Sequence, residues 1–179
     1  MWQNSSPDSM SLAITIKTKP TTRRTSISFN RLSLIEIPSV IPIEERNSNY
    51  PWTQLQFTTS LENSNNLCYL LSLNGKTIGY LIAMLTPDSA DILNIGIEPD
   101  FQRQGHGTAL LKHFIEELRK RDIAEILLEV RVGNKSAIQF YKKQGFEEIS
   151  VRKNYYIKNS NNRSQREDGI IMRIEISKL

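Results

Sequence analysis

Residues 94–111 read Asn-Ile-Gly-Ile-Glu-Pro-Asp-Phe-Gln-Arg-Gln-Gly-His-Gly-Thr-Ala-Leu-Leu: an apolar strand, a turn, a loop with two glycines and a helix start in unbroken succession. This order constrains the fold more than any other feature. A glycine loop between a strand and a helix lets successive backbone N–H groups converge on one anion, and the helix dipole favours negative charge there. Gly105 and Gly107 supply the backbone freedom, and Arg103 can add a charged fork to the same anion. A dinucleotide fingerprint would need a third glycine where Leu110 stands, and a P-loop would need a Gly-Lys-Ser/Thr ending. Neither fits.

The elements around this stretch predict an α+β domain with a mixed central sheet. Residues 68–73 and 77–85 flank Asn74-Gly75, a hairpin signal because both residues tolerate positive φ, and residues 90–97 complete a three-stranded meander. Residues 108–121 carry Leu110, Leu111, Phe114, Ile115 and Leu118 on one helical stripe. The nearly all-apolar run 126–130 then predicts a strand buried on both faces, the second member of a β-α-β crossover. A helix over 135–144 stops at Gly145, and strands over 147–152 and 170–176 close the sheet, separated by a polar loop at 159–165. Upstream, residues 27–29 predict a first strand, and residues 33–46 predict two short helical pieces broken by Pro38 and Pro42.

A chain of 179 residues with 39% hydrophobic content supports one domain, placed at residues 27–179. Residues 1–26 are rich in Ser and Thr, which suits a flexible basic arm or a transit peptide. The net charge of +4 arises there: residues 1–35 hold five Lys/Arg against Asp8, leaving 18 basic against 18 acidic residues in the rest. A neutral domain predicts no direct nucleic-acid partner. No apolar run approaches a membrane span, and Cys68 is the only cysteine, which suits a reducing, cytoplasmic location. His106 and His113, the only histidines, read as a loop and a surface residue, so no metal site is predicted.

Several residues carry two readings. Glu129, near the end of the buried strand, is either a general base strengthened by desolvation or a carboxylate paired with Arg131, its neighbour on the same strand face. Tyr141 follows Ala137 and Ile138 at helical spacing and reads as a core aromatic. Asn134 reads as the N-cap of the helix that follows it. Trp52, Tyr155 and Tyr156 read as surface or half-buried aromatics.

Gln102-Arg103-Gln104-Gly105-His106-Gly107 satisfies Q/R-x-x-G-x-G/A, and in this the chain resembles the coenzyme A loop of the GNAT N-acetyltransferases. From residue 50 to residue 172 it resembles more narrowly the RimI-type N-alpha-acetyltransferases of that superfamily. The matching pieces include Tyr50-Pro51-Trp52-Thr53, Leu128-Glu129-Val130-Arg131, Tyr141 with Gly145-Phe146, Arg152-Lys153-Asn154-Tyr155-Tyr156 and Glu167-Asp168-Gly169-Ile170-Ile171-Met172. The resemblance implies acetyl-CoA as cosubstrate and direct transfer in a ternary complex. The acceptor it implies is the N-terminal amine, alanine favoured, of a small-subunit ribosomal protein.

Residue by residue, the resemblance implies Glu129 as proton acceptor and Tyr141 as proton donor. It places Ile95, Gly96 and Ile97 along the pantetheine arm. Arg103, Gln104, Gly105, His106, Gly107 and Thr108 fall on the pyrophosphate, Asn134 on the cofactor, and Trp52, Tyr155 and Tyr156 at the peptide entrance. His106, Thr108 and Gly133 depart from the residues common at their positions, and the segment between Tyr156 and Glu167 is longer than the family pattern. Three other readings remain: a GNAT enzyme acting on lysine, a polyamine or an antibiotic, a CoA-binding module without turnover, and a ribosome-associated interaction protein that uses the basic arm.

Overall fold

The computed structural model describes residues 25–160 and 163–178. The expected arm at 1–26 lies outside the described residues apart from its last two. The chain runs β1 (Ile27–Arg31), a 3-10 turn (Leu34–Glu36), α1 (Ile37–Asn47), α2 (Gln54–Glu62), β2 (Asn66–Leu73), β3 (Lys76–Leu85) and β4 (Ser89–Ile97). After a second 3-10 turn (Pro99–Phe101) come α3 (His106–Arg119), β5 (Glu125–Arg131), α4 (Lys135–Lys143), β6 (Glu147–Ser160), β7 (Arg163–Glu175) and a last 3-10 turn (Ile176–Lys178). One seven-stranded sheet has the order β1-β2-β3-β4-β5-β7-β6. Among the described residues only the β4–β5 pair is parallel, as a crossover through α3 requires.

The sheet separates two cores. On one face Leu110, Leu111, Phe114 and Leu118 of α3 and Ile138 and Tyr141 of α4 pack on Leu81, Ile126, Leu128 and Met172. On the other, Ile37, Val40 and Ile43 of α1 and Phe57 of α2 cover Cys68, Leu70, Tyr80 and Ile82 of β2 and β3. The hairpin turn is as predicted, with φ of 51° at Asn74 and 81° at Gly75.

Several expectations need correction. Pro42 does not break the segment at 33–46: it lies inside α1, and the break falls before Ile37, where Pro38 occupies the first turn. One lost backbone bond is outweighed by the burial of Ile37, Val40 and Ile43. Helix α2 was not anticipated, although Thr53 and Gln56 form a capping box at its start. β5 is not buried on both faces: Ile126, Leu128 and Val130 are buried, whereas Leu127, Glu129 and Arg131 are half-buried. Helices α1 and α2 cover β2 and β3 on that face and leave β5 open. The expected loop at 159–165 is largely strand, since β6 and β7 form one long hairpin, and Ile176 belongs to the last 3-10 turn. His113 is half-buried rather than a free surface residue; it stacks on Phe29 at 4.5 Å and meets Tyr69 edge-on at 5.0 Å.

Candidate active site

β4 and β5 pair only from Ser89–Glu125 to Ile92–Leu128, and then they part. The cause is local. Leu93 is an extra residue in the β3–β4 register, which jumps from Ala83–Ile92 to Ile82–Asn94, and such a bulge bends and twists its strand. Residues 93–97 therefore present an edge that, among the described residues, no strand pairs, facing Glu129–Arg131 across a gap. Ile95 and Ile97 pack toward the α3/α4 core. Gly96 faces the opposite side, where a Cβ would lie 2.7 Å from Cε1 of the fully buried Tyr80. An amide-bearing chain entering this gap would find strand-like partners along the edge.

The glycine loop sits at the end of that edge. Gln102 anchors it, its Nε2 donating to the Asn47 side chain at 2.6 Å and to the Ile97 carbonyl at 2.9 Å. Gln104 donates from Nε2 to the Asp100 carbonyl at 2.7 Å, so its side chain holds the loop. Arg103 has φ of 57° and Gly105, the N-cap of α3, has φ of 87°. Among the described residues no acceptor meets the amides of residues 103–108, although Ala109 N–H already bonds the Gly105 carbonyl. Free amides at a helix start, with exposed Arg103 beside them, make a fitting cradle for a pyrophosphate. Gly107 serves packing, since a Cβ would lie 3.4 Å from the Phe140 ring of α4. His106 meets Phe101 edge-on at 6.1 Å, and Thr108 lies in the first turn of α3. The Asn134 side chain accepts from Ala137 N–H at 3.1 Å, capping α4 as one of its two readings held.

Glu129 points to the face that α1 and α2 occupy. Its carboxylate pairs with Arg152 of β6 at 2.8 Å, not with Arg131, which corrects the expected strand-neighbour pair. The Tyr156 phenol lies beside the same carboxylate; burial first, and then the nearness of Glu129, push its pKa well up, so it stays protonated. A β6 register shift between Arg152 and Tyr156, with Asn154 at φ 52°, aims these side chains at Glu129. Gly169 of β7 leaves the room: a Cβ there would lie 3.1 Å from the Tyr156 ring and 3.3 Å from the Glu129 carboxyl. Tyr155 is 47% exposed beneath Arg152. Trp52 belongs to the inner wall, its backbone N–H donating to buried Glu44 at 2.9 Å and its ring edge-on to Phe57.

Tyr141 approaches from the opposite face. It is buried on α4 between Phe140 and Phe146, and burial pushes its hydroxyl pKa well up. Nearby, the buried Tyr80 hydroxyl donates to Glu44 at 2.5 Å, and the Asn94 side-chain oxygen of β4 lies 3.3 Å from it. The gap thus lies between a carboxylate on one side of the sheet and a protonated phenol on the other. Sequence reasoning missed Glu44, Tyr80, Tyr50, Arg152 and Glu167 as neighbours of the site. The last three stood within the matched motifs, whereas nothing in the sequence pointed to the Glu44–Tyr80 contact. Among the described residues no group of three or more His, Cys, Asp or Glu could hold a metal ion.

A splayed crossover sheet with an anion cradle at the head of α3 defines a class, and residues 33–146 match the family model for the Acetyltransferase (GNAT) family. The chain belongs to the GNAT acetyltransferases, enzymes that use acetyl-CoA, and is an N-acetyltransferase. It is 39% identical over 150 residues to the ribosomal protein bS18-alanine N-acetyltransferase of Escherichia coli K12, covering 84% of this chain and 98% of that protein. The Salmonella typhimurium protein of the same name is 36% identical over 146 residues, covering 82% and 95%. The crystal structure of the E. coli ribosomal-protein-S18-alanine N-acetyltransferase superposes with a TM-score of 0.76 at 38% identity, covering 84% of this chain and 94% of that one. The RimI-type resemblance and the α+β GNAT fold are borne out.

Proposed function

We propose that this enzyme transfers the acetyl group of acetyl-CoA to the N-terminal α-amine of a ribosomal protein in the cytoplasm, alanine being the favoured first residue. The observation that carries the reading is the division of the gap, with Glu129 on the face left open by α1 and α2 and Tyr141 on the other. The names of the relatives support the acceptor. Bound acetyl-CoA supplies a thioester carbonyl for direct attack in a ternary complex. The amides of residues 105–108 with Arg103 and Asn134 hold its polar end, and Ile95, Gly96 and Ile97 line its arm.

Glu129 takes the proton of the acceptor amine at its carboxylate, through a water. An α-amine titrates at about 7.7–8.0 against about 10.4 for lysine, a difference of roughly 3 kcal/mol that suits a modest base. Arg152 is 51% exposed, so its pairing with Glu129 is screened and exchangeable. Tyr141 keeps its proton for the departing thiolate, whose basicity the same dry surroundings raise. Trp52, Tyr155 and Tyr156 line the peptide entrance.

Steady-state kinetics test the roles. Glu129→Gln and Tyr141→Phe should each lower kcat by about 10²–10⁴ with little change in the KM for acetyl-CoA. Wild-type rates in both variants would return Glu129 to a structural ion pair and Tyr141 to the core.

A further inference from the structure

Arg131 ends β5 two residues after Glu129 and on the same face. Its guanidinium lies 4.1 Å from the ring centroid of Tyr50 and 4.0 Å from that of Tyr156. The two rings come from distant parts of the chain, the segment between α1 and α2 and the irregular stretch of β6. Glu167 of β7 holds the same guanidinium at 3.5 Å, and its other oxygen accepts the Gly133 N–H at 2.6 Å. Gly133 carries no Cβ, which would otherwise fall 2.4 Å from that oxygen. One side chain therefore ties together the α1–α2 segment, β6, β7 and the turn that leads to Asn134.

Only a planar cation can do this. A guanidinium offers two faces to aromatic rings and an edge to a carboxylate, whereas an ammonium is a compact point charge. Tyr156, held on one of those faces, also stands beside Glu129: a Cβ on Gly169 would lie 3.1 Å from the Tyr156 ring and 3.3 Å from the Glu129 carboxyl. We propose that Arg131 is a positioning residue for the acceptor, fixing Tyr50 and Tyr156 as the aromatic walls beside the Glu129 carboxylate. It acts through Tyr156 and meets no reacting atom. That the walls enclose a peptide N-terminus rests on the acceptor reading above; the tie itself does not.

The full-length protein and its Arg131→Ala, Arg131→Lys and Tyr50→Leu variants test this by two readouts: kinetics with an alanine-initiated peptide, and backbone hydrogen exchange over residues 48–52 and 153–156. Arg131→Ala should raise the peptide KM by about tenfold or more, leave the acetyl-CoA KM within about twofold, and speed exchange in both segments. Arg131→Lys should keep the charge without restoring the peptide KM. Tyr50→Leu should reproduce the defect, and the double variant should be no worse than Arg131→Ala alone. Unchanged exchange and peptide KM in Arg131→Ala, full rescue by lysine, or additive effects would each overturn the proposal. A wild-type protein that ignores the peptide would sink the acceptor reading; exchange then decides the tie, and an unaltered pattern in Arg131→Ala overturns it.

Discussion

At the scale of single residues, the site depends on backbone conformations and close approaches that a side chain would disturb. Gly105 and Gly96 do so differently. A Cβ on Gly96 would press on the fixed ring of Tyr80, whereas one on Gly105 would meet no protein atom within 4 Å. The demand at Gly105 comes from its φ of 87° and, in the proposed function, from the pyrophosphate assigned to its neighbouring amides. Gly105→Val should therefore fold, losing about 1–2 kcal/mol for the left-handed backbone, and should raise the Kd for acetyl-CoA by about tenfold or more. Calorimetric titration together with a melting curve separates the two effects. Unchanged affinity in a folded Gly105→Val protein would remove the pyrophosphate assignment.

At the scale of elements, periodicity made α3, the meander and the crossover legible, because each keeps one pattern over its whole length. Pro42 misled for the converse reason: a local rule lost to the tertiary burial of Val40 and Ile43. The extension of β6 and β7 was hidden because their outer ends are polar on both faces, and their pairing is held by backbone bonds that composition does not display. Glu129 and Tyr141 became candidates only through resemblance, since Arg152 meets Glu129 from 23 residues away and no local pattern encodes that.

His113 shows the same limit and yields a prediction. Wedged between Phe29 of β1 and Tyr69 of β2, its imidazole has a pKa lowered mainly by burial, partly offset by Glu117, with Lys120 lowering it further. The folded state thus takes up a proton at lower pH than the unfolded chain, whose histidine titrates near about 6.5. The associated stability is complete above that value and is lost as pH falls through the folded-state pKa. His113→Phe keeps the aromatic stack and removes the titration. Between neutral and mildly acidic pH its unfolding free energy should fall less than that of the wild type, as urea titrations at several pH values would register. Equal losses would contradict the assignment.

At the scale of the whole molecule, a single distortion organises the function. The bulge at Leu93 parts two parallel strands, and each consequence follows from that opening. It leaves one strand edge, which the proposed function assigns to the cosubstrate arm, puts the glycine loop at its end, and sets a carboxylate and a phenol on opposite sides. In the proposed function, the open face of β5 to β7 is the acceptor entrance, with Glu129, Arg131, Arg152, Tyr155 and Tyr156 around it.

The most direct test offers the wild-type protein acetyl-CoA and one peptide that begins with a free alanine and carries an internal lysine. The same peptide with a blocked N-terminus is run beside it, and fragment-mapping mass spectrometry locates the acetyl group. Because the α-amine is already partly neutral near pH 7.5 while lysine is not, the label should appear on the α-amine, and the blocked peptide should react at least about tenfold more slowly. Preferential labelling of the lysine side chain would contradict N-terminal acetylation while leaving the GNAT fold untouched.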